Sequence, residues 1–182
     1  MKDGLKTTIQ VKVDNKNLNS AIKNFEGDKL FKGVSKRLKK LKTRIDKTKD
    51  PIAEAAAQKL TSLIQQFIKS NGNIITKQMY NSVETSGSNA TRTVDVTAKS
   101  KDGYPYPIRV EKGTKPHTIT GNPYLSFFWK KKGKQVITRS VNHPGNRAYP
   151  FVEPARKQLR RDVKDIIKGE LQLWPIIYPV MH

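Results

Sequence analysis

Residues 50–70, DPIAEAAAQKLTSLIQQFIKS, decide the fold because they predict the helix on which the core is built. Asp50 is a good N-cap, and Pro51 suits a first helical position, where its missing amide costs nothing. The segment SNGN (70–73) predicts the end of this helix. Apolar side chains recur at helical spacing and predict one buried face. They are Ile52, Ala56, Leu60, Leu63, Ile64 and Phe67.

A second amphipathic helix is predicted over residues 28–47, with Asp28 as its cap. Its apolar stripe consists of Leu30, Phe31, Val34, Leu38, Leu41 and Ile45. Most positions between them are basic, and we assign a basic contact surface to Lys36, Arg37, Lys39 and Lys40. Two interpretations stay open. The helix lies on phosphates or in an acidic groove, or its charged face is simply solvated, since no aromatic residues interleave for base stacking.

Alternation of polar and β-branched residues predicts strands elsewhere in the chain. They cover residues 7–13, 91–98 and 108–111, the last following two prolines that favour a sheet edge. Residues 124–141 predict an aromatic-rich hairpin with its turn at 132–134. The sheet is therefore small and antiparallel.

The remaining helices are two short ones, at 15–25 and around 77–82, and a long terminal one over 154–170. Pro154 falls in the first turn of the terminal helix, where proline is tolerated. One face of it is predicted to be buried and comprises Ala155, Leu159, Val163, Ile166, Ile167 and Leu171. Arg156, Arg160 and Arg161 on the other face complete the predicted basic contact surface.

The chain ends in LQLWPIIYPVMH (171–182), which is apolar and contains two prolines. Because prolines disfavour a regular helix, we predict an extended strap that docks on its own domain or, preferably, on a neighbouring subunit. The residues predicted to form a subunit or partner interface are Trp174, Ile176, Ile177, Tyr178 and Val180 of the strap, with Phe128 and Trp129 of the hairpin.

The order of elements predicts an α+β fold: three to five antiparallel strands packed against two or three long helices. We predict one domain over residues 1–170, with its β-rich part at 91–141, followed by the extended C-terminal strap, residues 171–182.

The composition limits the function. The 182 residues include 36 basic and 15 acidic ones, for a net charge of +21, which favours contact with nucleic acid or an acidic protein surface. The absence of cysteine excludes disulfides and thiolate chemistry. No signal peptide or membrane span is predicted, so we expect synthesis in the cytoplasm and no membrane partner.

Residues 142–157, NHPGNRAYPFVEPARK, bring His143, Arg147 and Glu153 close together in sequence. These residue types suit acid–base catalysis, but the stretch also fits a tight turn that leads into the last helix. We assign structural turn roles to His143, Pro144, Gly145, Pro150 and Pro154, and expect Tyr149, Phe151 and Val152 to anchor the core.

No metal-ligand or catalytic motif accompanies these residues. His117, His143 and His182 lack metal-site spacing, and no phosphate-cradling glycine loop occurs. We therefore predict no enzyme activity, cofactor or metal. A small basic nuclease using His117 or His143 with Arg147 is the less favoured enzyme alternative.

Nucleic-acid modules are not recognisable either, since no zinc finger, zipper or aromatic RNA-binding strand occurs. The dispersed charge fits phosphate contact without sequence readout. A basic nucleic-acid-binding protein without sequence specificity is thus the main alternative function.

Four ordered motifs in the carboxy-terminal half resemble one protein family. They are YPIRVEKGT (106–114), the hairpin LSFFWKKKGKQVIT (125–138), VNHPG (141–145) and PFVEPA (150–155). This order is similar to that of the tail-completion, or head-to-tail joining, proteins of long-tailed bacteriophages. The segment TKQMYNSVE (76–84) occupies the place of a further family motif but lacks its glycine.

The resemblance implies a structural virion protein and not an enzyme. Its subunits would form a hexameric ring in the neck of the particle, and the particle would be assembled in the host cytoplasm. The ring would join the head connector (adaptor or stopper) to the tail tube and leave a channel for DNA, which could approach the subunits without specificity. Joining protein, stopper and tail terminator all remain open roles.

Overall fold

The computed structural model describes residues 5–12, 16–26, 32–72 and 77–177, with side chains of the last helix described to residue 171. The elements are β1 (Leu5–Gln10), α1 (Lys16–Glu26), α2 (Lys32–Ser70), α3 (Gln78–Asn81), β2 (Val83–Ser86), β3 (Thr91–Val96), α4 (Pro107–Lys112), β4 (His117–Trp129), β5 (Lys134–His143) and α5 (Val152–Ile177). The predicted α+β class is confirmed, with two antiparallel sheets and two long helices.

The first sheet has the strand order β1-β3-β2, so β3 lies in the centre and pairs antiparallel with both neighbours. Val94 and Val96 of β3 are fully buried and face the helical side of the sheet. Thr85 of β2 points the same way, since its hydroxyl lies 3.0 Å from that of Thr61 on α2. The strand predicted at 91–98 and the short helix near residue 80 are confirmed.

The core lies between α2, this sheet and the start of α5. Its fully buried side chains include Leu60, Ile64, Ile68, Val94, Val96, Phe151 and Ala155. The predicted apolar face of the helix that follows Pro51 is therefore the centre of the core. Phe151 and Val152 are buried as expected, but Tyr149 is 42% exposed, and its predicted core role is wrong.

α2 is one continuous helix, so the predicted boundary between a basic helix and a core helix at Asp50-Pro51 is wrong. Pro51 removes one amide hydrogen bond from a helix interior, which normally disfavours it. The buried face nevertheless continues across it, from Thr48 to Ile52 and Ala53. Packing on both sides of the proline thus stabilises the helical path. The predicted cap Asp28 lies outside the described residues.

Asp50 has a tertiary contact instead of a capping role. Its Oδ1 accepts the amide of Ala90 at 3.0 Å and lies 2.9 Å from the guanidinium of Arg92. Glu54, one turn further along α2, accepts Arg92 Nε at 2.6 Å. Arg92 is 8% exposed. This cluster joins the start of β3 to α2 beside the proline.

Residues 108–111 form part of the short helix α4, and the strand predicted there is wrong. Pro107 occupies the first turn, where its fixed φ suits a helix. Gly113 follows the helix with a φ of 71° and turns the chain away. The prolines that suggested a sheet edge instead begin a helical turn.

The carboxylate of Glu111 on α4 caps the amino terminus of α5. It accepts the amides of Phe151 at 2.7 Å, Val152 at 3.0 Å and Glu153 at 3.1 Å. A carboxylate at this position meets both the free amides and the positive end of the helix dipole. Glu153 lies in the first turn as predicted, but its own side chain is exposed.

α5 continues through Pro175 to Ile177, so the prediction of an extended strap beginning at residue 171 is wrong over 171–177. A single proline near the end removes one hydrogen bond without ending the helix. Trp174, Ile176 and Ile177 therefore belong to the helix. The predicted contacts of Tyr178 and Val180 lie outside the described residues.

The predicted buried face of α5 becomes more exposed to solvent toward the end of the helix. Ala155 is fully buried, whereas Ile167 and Leu171 are 38% and 41% exposed. Lys59 of α2 lies 3.4 Å from Asp162, which shows that the two helices run side by side. Ile167 and Leu171 therefore leave apolar surface exposed on the second half of α5.

Removing the charge of Glu111 should weaken the attachment of α5. We expect Glu111→Gln to lower the free energy of unfolding by about 1–3 kcal/mol, because buried amides lose a charged acceptor. Urea unfolding followed by circular dichroism measures this loss. Glu153→Gln is the control and should change the free energy of unfolding by under about 0.5 kcal/mol; equal losses in both variants would contradict the capping role.

The Arg92 cluster should make stability depend on acid pH. The Ala90 amide, then Arg92, lowers the pKa of Asp50 below its ordinary 3.8, and hydrogen bonds from Arg92, then Gln58, lower the pKa of Glu54 below 4.5. The stabilisation is thus complete above these ordinary values and is lost as the pH falls through the lowered ones.

The urea midpoint of Arg92→Met should therefore decrease less between pH 6 and pH 3 than that of the unsubstituted protein. Some pH dependence should remain, because the Ala90 amide still lowers the pKa of Asp50. Arg147→Met removes an exposed arginine and serves as the control. A pH profile for Arg92→Met parallel to that of the unsubstituted protein would rule out this cluster as the source.

Candidate assembly and binding surfaces

The β4–β5 hairpin is an arm that makes only sparse contacts with the other described elements. No residue between 117 and 143 is fully buried. The paired registers run from His117↔His143 to Trp129↔Lys134, so the arm is long and regular apart from one irregularity between Thr120 and Leu125. The predicted hairpin is confirmed, although β4 begins at His117, before the predicted start of the hairpin at residue 124.

One face of the arm is a shallow apolar groove of about 480 Å³. Its lining includes Ile119, Leu125, Phe127, Trp129 and Val141. The half-buried positions of β5 are 136 and 138, then 141 and 143, so the alternation changes phase beside the register shift. This bulge brings apolar residues from both halves of the hairpin onto the same face.

The opposite face also carries large apolar side chains. Phe128 is 59% exposed and Ile137 is 70% exposed. They share this face because Ser126 pairs with Ile137 and Phe128 pairs with Gln135. Tyr124 is 54% exposed, and the guanidinium of Arg139 lies 5.8 Å from its ring centre. A hairpin that is apolar on both faces is typical of a segment that packs against another molecule.

The tip of the arm is strongly basic. The 3₁₀ turn Lys130–Lys132 and Gly133, with a φ of 61°, connect the strands. This turn begins two residues before the predicted one at 132–134, and Lys134 already belongs to β5. The ammonium of Lys132 lies 4.5 Å from the ring centre of Trp129. Trp129, 39% exposed, and Phe128 are both accessible; their predicted role in an interface remains a prediction.

The root of the arm is held by close backbone contact. Thr114 and Asn146 exchange two hydrogen bonds of 3.0 and 3.1 Å. A Cβ on Gly113 would lie 2.5 Å from the oxygen of Asn146, and one on Gly145 would lie 2.1 Å from that of Thr114. Both positions thus require glycine, and the two segments are locked together.

The predicted turn at 142–145 is part of this root. Gly145 has a φ of 83°, and its amide donates to Nδ1 of His143 at 3.0 Å. The carbonyl of Pro150 accepts the side-chain amide of Asn71 at 2.9 Å. Pro144, between His143 and Gly145, is exposed, and Pro154 lies in the first turn of α5 as predicted.

The residues considered for catalysis have different partners. His143 faces His117 across the strands with ring centres 5.1 Å apart, and its Nδ1 is occupied by the Gly145 amide. His117 Nδ1 is 2.9 Å from the carbonyl of Lys115. Arg147 is exposed, and Glu153 lies 3.8 Å from Arg156 on α5. Within the described parts of the chain, no group of three acidic or histidine side chains could hold a metal ion.

The two predicted basic surfaces lie at different ends of the helices. Lys36, Arg37, Lys39 and Lys40 are exposed near the start of α2, where Lys39 forms an ion pair with Glu26 of α1. Arg156, Arg160 and Arg161 are exposed on the first half of α5. The contact of Asp162 with Lys59 places this half roughly 28 Å along α2 from Lys40, at 1.5 Å per residue.

A further basic site was not predicted. A groove of about 960 Å³ lies beside the root of the arm and is lined by residues of α4 and the two hairpin ends. Its polar side chains include Tyr104, Arg109, Lys112, Lys115 and His117. This groove was missed because a strand was predicted over 108–111. Only the helical turn of α4 brings Arg109 and Lys112 to the same side. The signal available in the sequence was Pro107 before a short segment ending in glycine.

None of the helices in the described ranges combines the length and the apolar composition that a membrane span requires.

No family model, curated protein or solved structure matches the chain.

Proposed function

We propose that this chain is a structural subunit of the neck of a tailed bacteriophage, where a ring of copies joins the head connector to the tail tube. The observation that carries the proposal is the β4–β5 arm, which is apolar on both faces and unburied along its whole length. A subunit that must bind a neighbour on each side needs such surfaces, since ring contacts are heterologous.

The sequence motifs that resemble the tail-completion family support the same role. They span the arm, its root and the start of α5, which is the part of the chain that presents the exposed surface. The uncovered apolar residues Ile167 and Leu171 on α5 supply a second surface for a neighbouring subunit. The arm of one subunit would pack on such a surface of the next, with the basic helices facing the connector or the channel.

Association should depend on the face of the arm that carries Phe128 and Ile137, opposite the apolar groove. We expect the double substitution Phe128→Ser, Ile137→Ser to abolish ring formation, because it removes two large apolar side chains that the fold leaves exposed. Light scattering and negative-stain images measure the assembly, and circular dichroism checks the fold.

Tyr149→Ser is the matched control, since Tyr149 is an exposed aromatic residue outside the arm. It should assemble like the unsubstituted protein. Rings that form equally well from the double variant would remove the arm from the assembly surface.

Deletion of the gene from the phage that encodes this protein tests the role directly. Phage lacking the gene should accumulate separate filled heads and finished tails, and the purified protein should restore their joining in a lysate. The Phe128→Ser, Ile137→Ser protein should fail in this assay, whereas Tyr149→Ser should succeed. Infectious, joined particles formed without the gene product would refute the proposed function.

A further inference from the structure

The groove beside the root of the arm has an unbalanced charge. Its lining contains the cations Arg109, Lys112 and Lys115 and the imidazoles His117 and His143. No aspartate or glutamate is among the residues that line it. The nearby carboxylate of Glu111 is occupied by the amides at the start of α5. The groove therefore has an electrostatic preference for an anion.

The groove is also rigid enough to orient a ligand. Its lining includes Thr114 and Asn146, whose backbone contact is described above and where the required glycines keep the segments in place. Arg109 Nε donates to the hydroxyl of Tyr104 at 2.9 Å, which positions the guanidinium and leaves its terminal nitrogens available. An oriented guanidinium can bind a phosphate through two parallel hydrogen bonds.

Aromatic surface accompanies the charge. Tyr104 is 49% exposed and Tyr106 is half-buried, and both line the groove with the paired imidazoles. Side chains of this kind provide flat faces on which bases stack, while neighbouring cations follow the phosphates. The volume of about 960 Å³ exceeds what a single carboxylate or phosphate would fill.

We propose that this groove binds a single strand of nucleic acid, with Arg109, Lys112 and Lys115 contacting phosphates and Tyr104 stacking on a base. An acidic peptide would satisfy the charges but would leave the tyrosine face unused, so the rings favour the nucleic acid. This site differs from the basic helix surfaces and does not rest on the proposed neck function.

The test compares two triple variants with the same change in charge. Arg109→Gln, Lys112→Gln, Lys115→Gln removes the groove cations, and Arg156→Gln, Arg160→Gln, Arg161→Gln removes three from the exposed face of α5. Fluorescence anisotropy of a labelled twelve-residue oligothymidine measures affinity from 0.05 to 0.3 M salt.

We expect the groove variant to bind at least about tenfold more weakly at 0.15 M salt, and its slope of log affinity against log salt to flatten by about 2, since each lost phosphate contact contributes about 0.7. The α5 variant should lose under about threefold. Equal losses in the two variants would show general attraction to a basic protein and overturn the site.

Single substitutions test stacking separately from charge. Tyr104→Leu should weaken oligothymidine binding by at least about fivefold, as expected for one lost stacking contact. Tyr104→Phe keeps the ring but removes the hydroxyl that positions Arg109, so it should bind more weakly than the unsubstituted protein but more tightly than Tyr104→Leu. Tyr124→Leu, in an exposed aromatic residue of the arm, should have no effect. If Tyr104→Leu binds normally, no base stacks there.

An oligoglutamate peptide of twelve residues tests whether the groove prefers an acidic peptide to nucleic acid. It should bind more weakly than oligothymidine and should be insensitive to Tyr104→Leu. Tighter binding of the peptide, lost in the groove variant, would identify an acidic protein partner and refute the nucleic-acid assignment. Because these measurements use the isolated protein, their outcome is independent of whether it joins heads to tails.

Discussion

The carboxylate of Glu111 bound to the first amides of α5 is the contact on which the rest of the structure depends. Phe151 and Val152 are buried, so their amides lie at a helix start with little access to water. Unpaired amides there would oppose the packing of α5 on α2. One acidic side chain on a single helical turn satisfies three of them, and thereby fixes α4 against α5.

That contact also determines where the arm leaves the body. α4 leads through Gly113 directly into β4, and the chain returns from β5 through Gly145 toward α5. The Tyr149 amide donates to the carbonyl of Val110 at 2.8 Å, next to the cap. Both ends of the arm are therefore anchored within a few residues of Glu111. A hairpin with few contacts of its own to the body can be held in this way by its root alone.

The elements that could be predicted are those with local signals. Periodicity identified the core face of α2 from Ile52 to Ile64, alternation identified β3, and Gly133 marked the tip of the arm. The predicted ends of helices at Pro51 and before Pro175 were wrong because proline was taken to interrupt a helix. The packing that keeps α2 helical across Pro51 involves residues distant in sequence and has no local signal. The Glu111 cap spans 40 residues of sequence, so no local pattern could reveal it. The groove was missed because a strand was predicted over 108–111, although Pro107 and the following glycine were a local signal for α4; its other wall needs both ends of the hairpin.

The motifs that resemble the phage family have a common physical explanation in this structure. Glu111 and Gly113 belong to the first motif, Gly145 to the third and Phe151 to the fourth, and all meet at the root of the arm. Glu111 accepts amides at the start of α5, Gly113 and Gly145 lie where the backbone approach excludes a Cβ, and the side chain of Phe151 is fully buried. These four residues therefore fix one corner of the fold, at the root of the arm. In our two proposals, partner choice falls instead to the exposed residues of the arm and the cations of the groove, which the packing of this corner does not constrain.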